Sequence, residues 1–228
     1  MIRVERCTYY GFRGDLAYET LNGVEIPYAQ GDKTDEHTER ERTRMSMYHL
    51  AREGRKDRRA VRVAVFDLDG TLANIDERRE KSWDTVYGDT PPHADARTTK
   101  MHWDIFNDPA NMREDKPNVG VIRMCKLLYA SGYRIVIVSG RIANGVGWNE
   151  GTKMTTVDWL DDNGITYDEL YMRSEESRYV PDHKLKQTWL DTYEHKDKIR
   201  AVYDDRDSVV RMWRENGLPT FQVAEGDF

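Results

Sequence analysis

Three runs of consecutive apolar, largely β-branched residues mark the chain after residue 60, and each stops abruptly at a polar cluster. Val61-Arg62-Val63-Ala64-Val65-Phe66 runs into Asp67-Leu68-Asp69-Gly70, Tyr133 to Val138 into Ser139-Gly140-Arg141, and Ile199 to Tyr203 into Asp204-Asp205-Arg206. Continuous apolar runs of this length predict strands buried on both faces. Between them, apolar residues at helical spacing predict helices over Gly120–Tyr129, broken by Gly132, and over Thr155–Asn163, ended by Gly164. Further helices are predicted over Asp182–Tyr193 and Ser208–Asn216, with short strands at Glu169–Met172 and Thr220–Val223. Regular alternation of strand and helix predicts an α/β fold with a mostly parallel central sheet flanked by helices. Ligands of such sheets lie beyond the carboxyl ends of the strands, where Asp67, Asp69, Ser139, Arg141, Asp204 and Asp205 all fall.

The first third has a different texture. Residues 32–44 (DKTDEHTERERTR) carry no apolar side chain and predict a solvated helix or linker. Ahead of them, the aromatic residues and glycines of Met1 to Gln30 weakly suggest a hairpin, and after them Met45 to Leu50 suggests the start of a short amphipathic helix. A basic run follows at Arg52, Arg55, Lys56, Arg58, Arg59 and Arg62, readable as a solvated face or as a contact to phosphate backbone. The expected organisation is an N-terminal extension of unassigned role over 1–59, with its linker at 32–44, and one domain over 60–228. The stretch from about 73 to 116 contains no core strand and reads as a small cap-like insertion.

Composition narrows the function classes. With 35 Lys+Arg against 41 Asp+Glu the net charge is −6, which argues against a histone-like coat of positive charge without excluding a local basic groove. Six Trp, thirteen Tyr and five Phe imply a packed core. No apolar run is long enough for a membrane span, and the start shows no secretory signal. Cys7 and Cys125 read as reduced thiols, and a cytoplasmic location is expected, that of the host if the protein is viral.

Four carboxylates gathered at strand ends repel one another unless a cation lies between them. Oxygen donors without His or Cys favour Mg²⁺, which completes its octahedron with water and phosphate oxygens, so the substrate class is phosphate. Asp67 and Asp69 can divide the work, one acting at the metal as nucleophile and the other as acid and base. Gly70 lets the backbone approach a phosphate, Ser139 and the amides after it can bond the transferred group, and a lysine from a later helix can neutralise it. An EF-hand is disfavoured, because glycine stands fourth rather than sixth and no glutamate stands twelfth.

The string Val65-Phe66-Asp67-Leu68-Asp69-Gly70-Thr71-Leu72 resembles the first motif of the haloacid dehalogenase (HAD) superfamily of phosphohydrolases, which implies a HAD-like Rossmannoid fold. Ser139 resembles that family's second motif, Lys184 its third and Asp204-Asp205 its fourth. Pro117-Asn118, Gly132 to Arg141, Val209 to Trp213 and Gln222 to Phe228 further resemble the 3′-phosphatase domain of the phage polynucleotide kinase-phosphatase, from about Val61 to the last residue.

The resemblance implies that Asp67 is the nucleophile and forms an aspartyl-phosphate, with Asp69 as acid and base. Mg²⁺ would lie on Asp67, the backbone carbonyl of Asp69, and Asp204 or Asp205. Ser139, Gly140, Lys184, Arg141 and Arg78 would hold the phosphate or the neighbouring nucleotide. Four assignments stay open at this level. Arg78 also reads as part of a solvated helix face. Lys186 competes with Lys184, the distance from Arg178 favouring Lys184, and Asp182 is either a site carboxylate or a helix cap. Trp103 and Phe106 either stack on a base or pack the insertion's own core.

The implied activity is a Mg²⁺-dependent 3′-phosphatase for DNA or RNA ends or 3′-nucleotides in nucleic-acid repair. The alternatives are a phosphatase for small phosphomonoesters and a module that binds phosphorylated ends without hydrolysis. No Gly-Lys dipeptide is present, so the P-loop kinase activity of the resembled enzyme is expected to be absent.

Overall fold

The computed structural model describes residues 12–13, 16–21, 24–27, 47–51, 62–88, 96–143 and 151–226, with side chains described over 62–88, 100–143 and 151–226. The central feature is a six-stranded sheet in the order β11-β10-β5-β8-β9-β4. Its strands are β4 (Met47–Ala51), β5 (Val63–Phe66), β8 (Arg134–Ile142), β9 (Glu169–Arg173), β10 (Ile199–Asp204) and β11 (Thr220–Gln222). The five strands from β11 to β9 run parallel, and β4 adds antiparallel to the outer edge of β9, with Met47 opposite Arg173 and Ala51 opposite Glu169. Helices α4 (Val119–Ala130), α5 (Thr152–Asp162), α6 (Asp182–Thr192) and α7 (Asp207–Glu215) connect the parallel strands. After β5 the chain passes to β8 and β9 on one side, then returns to β10 and β11 on the other. The order therefore switches at β5, where the carboxyl ends diverge and leave a crevice.

Strand alternation divides the core into two layers. Ala64, Phe66, Ile135, Ile137, Leu170 and Met172 face one side and pack with Cys125 of α4 and Trp159 and Leu160 of α5. Val63, Val65, Val136, Val138 and Val202 face the other and pack with Trp189 and Leu190 of α6 and Val209 and Trp213 of α7. Both faces are covered, which is why these strands read as unbroken apolar runs. Burial pushes the Cys125 thiol up to about 12, so it stays protonated and inert.

The short strands β6 (Ala73–Asn74) and β7 (Lys116–Pro117) pair antiparallel and bracket an insertion of three helices: α1 (Asp76–Val86), α2 (Ala96–Phe106) and α3 (Pro109–Arg113). Near the N-terminus, β1 (Phe12–Arg13), β2 (Leu16–Leu21) and β3 (Val24–Pro27) form a separate antiparallel sheet. Of the segment expected to begin a helix at Met45–Leu50, the described residues from Met47 onward lie in β4 instead. Its backbone groups pair with β9, a partner more than a hundred residues away that local periodicity does not show. The linker at 32–44, Cys7, most of the basic run and the terminal Asp227-Phe228 lie outside the described residues. Arg62, the described member of the basic run, donates to the Ser131 carbonyl at 2.9 Å and lies 4.6 Å over the Tyr133 ring.

Candidate active site

The Asp67–Thr71 loop leaves β5 through a tight turn. The amides of Thr71 and Ala73 donate to the Leu68 carbonyl, and Gly70 takes φ +84°, a left-handed conformation that side chains resist. A Cβ on Gly70 would lie 2.0 Å from Asp205 Oδ2, so the glycine also makes room for the neighbouring strand's carboxylate. Gly70→Ala is therefore expected to add roughly 1–2 kcal/mol of backbone strain and to displace Asp205. The check is a lower thermal unfolding midpoint.

Asp67, Asp204 and Asp205, from the ends of β5 and β10, are buried, and one oxygen of each lies within 4.8 Å of the others. Lys186 of α6 reaches into this cluster, its Nζ donating to Asp67 Oδ1 at 2.7 Å and Asp204 Oδ2 at 2.9 Å. Asp182, one turn earlier, stands 3.8 Å from the same ammonium. Trp213 Nε1 donates to Asp204 at 3.1 Å, and the Thr71 hydroxyl donates to Asp205 at 3.3 Å. Burial raises the Asp67 carboxyl well above the usual range, Lys186 pulls it down, and Asp204 and Asp205 push it further up. Burial and Asp204 push Asp205 up to about 6. Burial alone would discharge Lys186, but Asp204 and Asp67 outweigh it and keep the ammonium charged. Three carboxylates and one lysine leave negative charge uncompensated, and the donors are all oxygen, so the residues fit a hard divalent cation such as Mg²⁺.

The lysine assignment needs correction. Lys184 is exposed, whereas Lys186 is 1% exposed and touches the carboxylates. On α6, Leu185, Lys186, Trp189 and Leu190 form the buried face, and Lys184 lies about 200° around from Lys186. Asp182 is not a side-chain cap either. Pro181 occupies the cap position, and the Asp182 carboxylate pairs with Arg173 at 3.0 Å.

Asp69 points away from the metal-type cluster, so only its backbone carbonyl is left for the role expected of it there. Its carboxylate accepts from Arg141 Nη2 at 2.6 Å and Nε at 3.0 Å, and from Arg78 Nη2 at 2.6 Å. Burial works to raise the Asp69 carboxyl, but the two guanidiniums outweigh it and hold it well below the ordinary value. Arg78 is thus buried rather than part of a solvated face, and it also stacks 4.4 Å over the Phe106 ring. Trp103 packs edge-on against Phe106 within the insertion, with 48% of its surface exposed.

Ser139 is fully buried, its hydroxyl accepting from the Arg141 amide at 3.1 Å. Gly140 fits closely against Asp182, since a Cβ there would lie 2.7 Å from Asp182 Oδ1.

Sequence reasoning missed two residues of this network. Asp115, just before β7, is buried and accepts from Arg78 Nε at 3.0 Å and Arg141 Nη2 at 2.7 Å, so it shares both arginines with Asp69. Arg173, at the end of β9, donates to the carbonyls of Gly140, Ser177 and Val180 and to Asp182. Its place at a parallel strand's carboxyl end was the available signal. Asp115 belongs to no core strand and offered none.

A sequence model of the polynucleotide kinase PNKP phosphatase domain matches residues 95–228. Among solved structures, a chain of the Pnkp1/Rnl/Hen1 complex is 28% identical with a TM-score of 0.53, over 75% of this chain and 49% of that one. A chain of the Pnkp1/Rnl/Hen1 RNA repair complex is 24% identical with a TM-score of 0.53, over 91% and 51%. A haloacid dehalogenase-like hydrolase family protein from Streptococcus pneumoniae shares the fold at 15% identity and a TM-score of 0.51, over 71% and 84%. The present chain spans about half the length of the chains it matches in the two complexes. Among the described residues no helix is long and apolar enough to cross a membrane.

Proposed function

Because this chain belongs to the PNKP phosphatase-domain family of HAD phosphatases, we propose that it is a Mg²⁺-dependent polynucleotide 3′-phosphatase acting through an aspartyl-phosphate on Asp67. The observation that carries the reading is the buried Lys186 ammonium between Asp67 and Asp204, at the crevice where the sheet order switches. Asp67, Asp204, Asp205 and the carbonyl of Asp69 would hold the cation. When bound, the ion neutralises the crowded carboxylates so that a phosphate dianion can approach them.

The Asp67 carboxylate attacks phosphorus in line, the P–O3′ bond breaks, and Asp69 gives a proton to the departing O3′. Asp69 then takes a proton from the water that opens the aspartyl-phosphate, returning phosphate and free Asp67. Lys186 and the amides around Ser139 hold the phosphoryl oxygens as charge moves across them. In the resting arrangement Arg78 and Arg141 keep Asp69 ionised. An incoming phosphoester competes for those guanidiniums, and once they loosen, the Asp69 carboxylate takes up a proton from solvent, which it passes to O3′.

The test compares phosphate release, with Mg²⁺, from a 3′-phosphorylated oligonucleotide, a 3′-mononucleotide and a sugar phosphate, with Asp67→Asn as control. Preference for the oligonucleotide, falling steeply with salt, is expected. Turnover confined to small esters, or tight end binding with no turnover, would overturn the reading. Mg²⁺ at a hundredfold excess over its dissociation constant should also stabilise the fold by about 2.7 kcal/mol. Asp205→Asn should weaken that gain, as read by thermal unfolding with and without EDTA.

A further inference from the structure

Tyr179 is 92% exposed, more than any other large apolar side chain among the described residues. Exposure of this degree is ordinary on a mobile tail, but the loop that presents Tyr179 is pinned on every side. The turn at Glu175–Ser177 is closed by bonds from Ser177 to Ser174 and from Arg178 to Glu175, and the Val180 amide donates to the Ser177 carbonyl at 2.9 Å. The buried Arg173 guanidinium ties the loop down, donating to the Ser177 carbonyl at 2.7 Å and the Val180 carbonyl at 2.6 Å. The same guanidinium reaches the Gly140 carbonyl at 2.9 Å and Asp182 at 3.0 Å, two groups that line the phosphate site. One side chain therefore ties the backbone on both sides of Tyr179 to the Gly140 carbonyl and to Asp182.

From this we infer that Tyr179 is the platform on which the base of the 3′-terminal nucleotide stacks, and that it makes the site selective for nucleotide ends over simple phosphate esters. The inference rests on the 3′-phosphatase reading and names what recognises the rest of the substrate. A tyrosine on a braced loop loses little freedom when a base covers it, and stacking tolerates any base because each presents a π-face. Backbone phosphates would be held by charge. Beside Tyr179, Arg178 is paired with Glu175.

The experiment measures kcat/KM on two 3′-phosphorylated oligonucleotides that differ only in whether the terminal sugar carries a base. In the unmutated protein the base-bearing end should be favoured by about tenfold, through KM, as expected for one stacked base. Tyr179→Ala should bring that ratio to about one, and Tyr179→Phe should keep it. The side chain packs against nothing that folding needs, so both variants should unfold at the unmutated temperature. A ratio unchanged in Tyr179→Ala overturns the inference while leaving the phosphatase reading intact. Absence of turnover on either oligonucleotide, with turnover on a sugar phosphate, overturns both.

Discussion

Lys186→Met is expected to lower kcat/KM by about 10³-fold, whereas Lys184→Met should stay within about twofold of the unmutated protein. Lys186 touches both Asp67, the proposed nucleophile, and Asp204, and it is 1% exposed. Its loss leaves Asp67 and Asp204 buried without their ammonium, so about 3–5 kcal/mol of stability should go with the activity. Lys184 lies on the solvated side of the same helix. Steady-state kinetics and thermal unfolding on the two variants make the comparison, and equal loss from both would remove Lys186 from the mechanism.

Asp67→Asn should lower turnover by about 10⁴-fold or more, because an amide cannot displace the alkoxide or form the acyl phosphate. Its effect on the fold should have the opposite sign to that of Lys186→Met. Asp67 is a carboxylate whose burial and like-charged neighbours raise its affinity for protons, so the neutral amide relieves repulsion while Lys186 keeps Asp204 as partner. Without Mg²⁺ the variant should unfold at or above the unmutated temperature. The two substitutions thus agree on activity and disagree on stability, a pattern that general damage to the fold does not produce. A destabilised Asp67→Asn protein would contradict the picture of a crowded acidic cluster.

The parallel core was legible in the chain because strands covered on both faces cannot hide their apolar runs, as Val63–Phe66 and Arg134–Val138 show. Asp67, Asp204 and Asp205 were legible for a related reason, since each lies where such a run stops. The lysine was not fixed by the motif, because two candidates stand two residues apart. Helix phase settles it: Asp182 and Lys186 are i,i+4 neighbours on the face that Trp189 and Leu190 bury. That signal was present in the apolar pattern of α6. Strand β4 was beyond local reading, since short segments take their conformation from the edge they meet. Asp115 was equally hidden, because its importance is defined by two arginines 26 and 37 residues away that only folding brings to it.

Phe66, Tyr203 and Phe221, from three adjacent strands, lie ring on ring, with centroids 4.5 Å and 5.1 Å apart and planes 4° and 15° from parallel. Phe66 immediately precedes Asp67, and Tyr203 immediately precedes Asp204. The β5–β10 ladder, which pairs Tyr203 with Phe66 and carries these stacked rings on one face, therefore holds Asp67 and Asp204 at neighbouring strand ends. Folding alone brings these carboxylates together, so the proposed cation would meet ligands already gathered rather than having to gather its own.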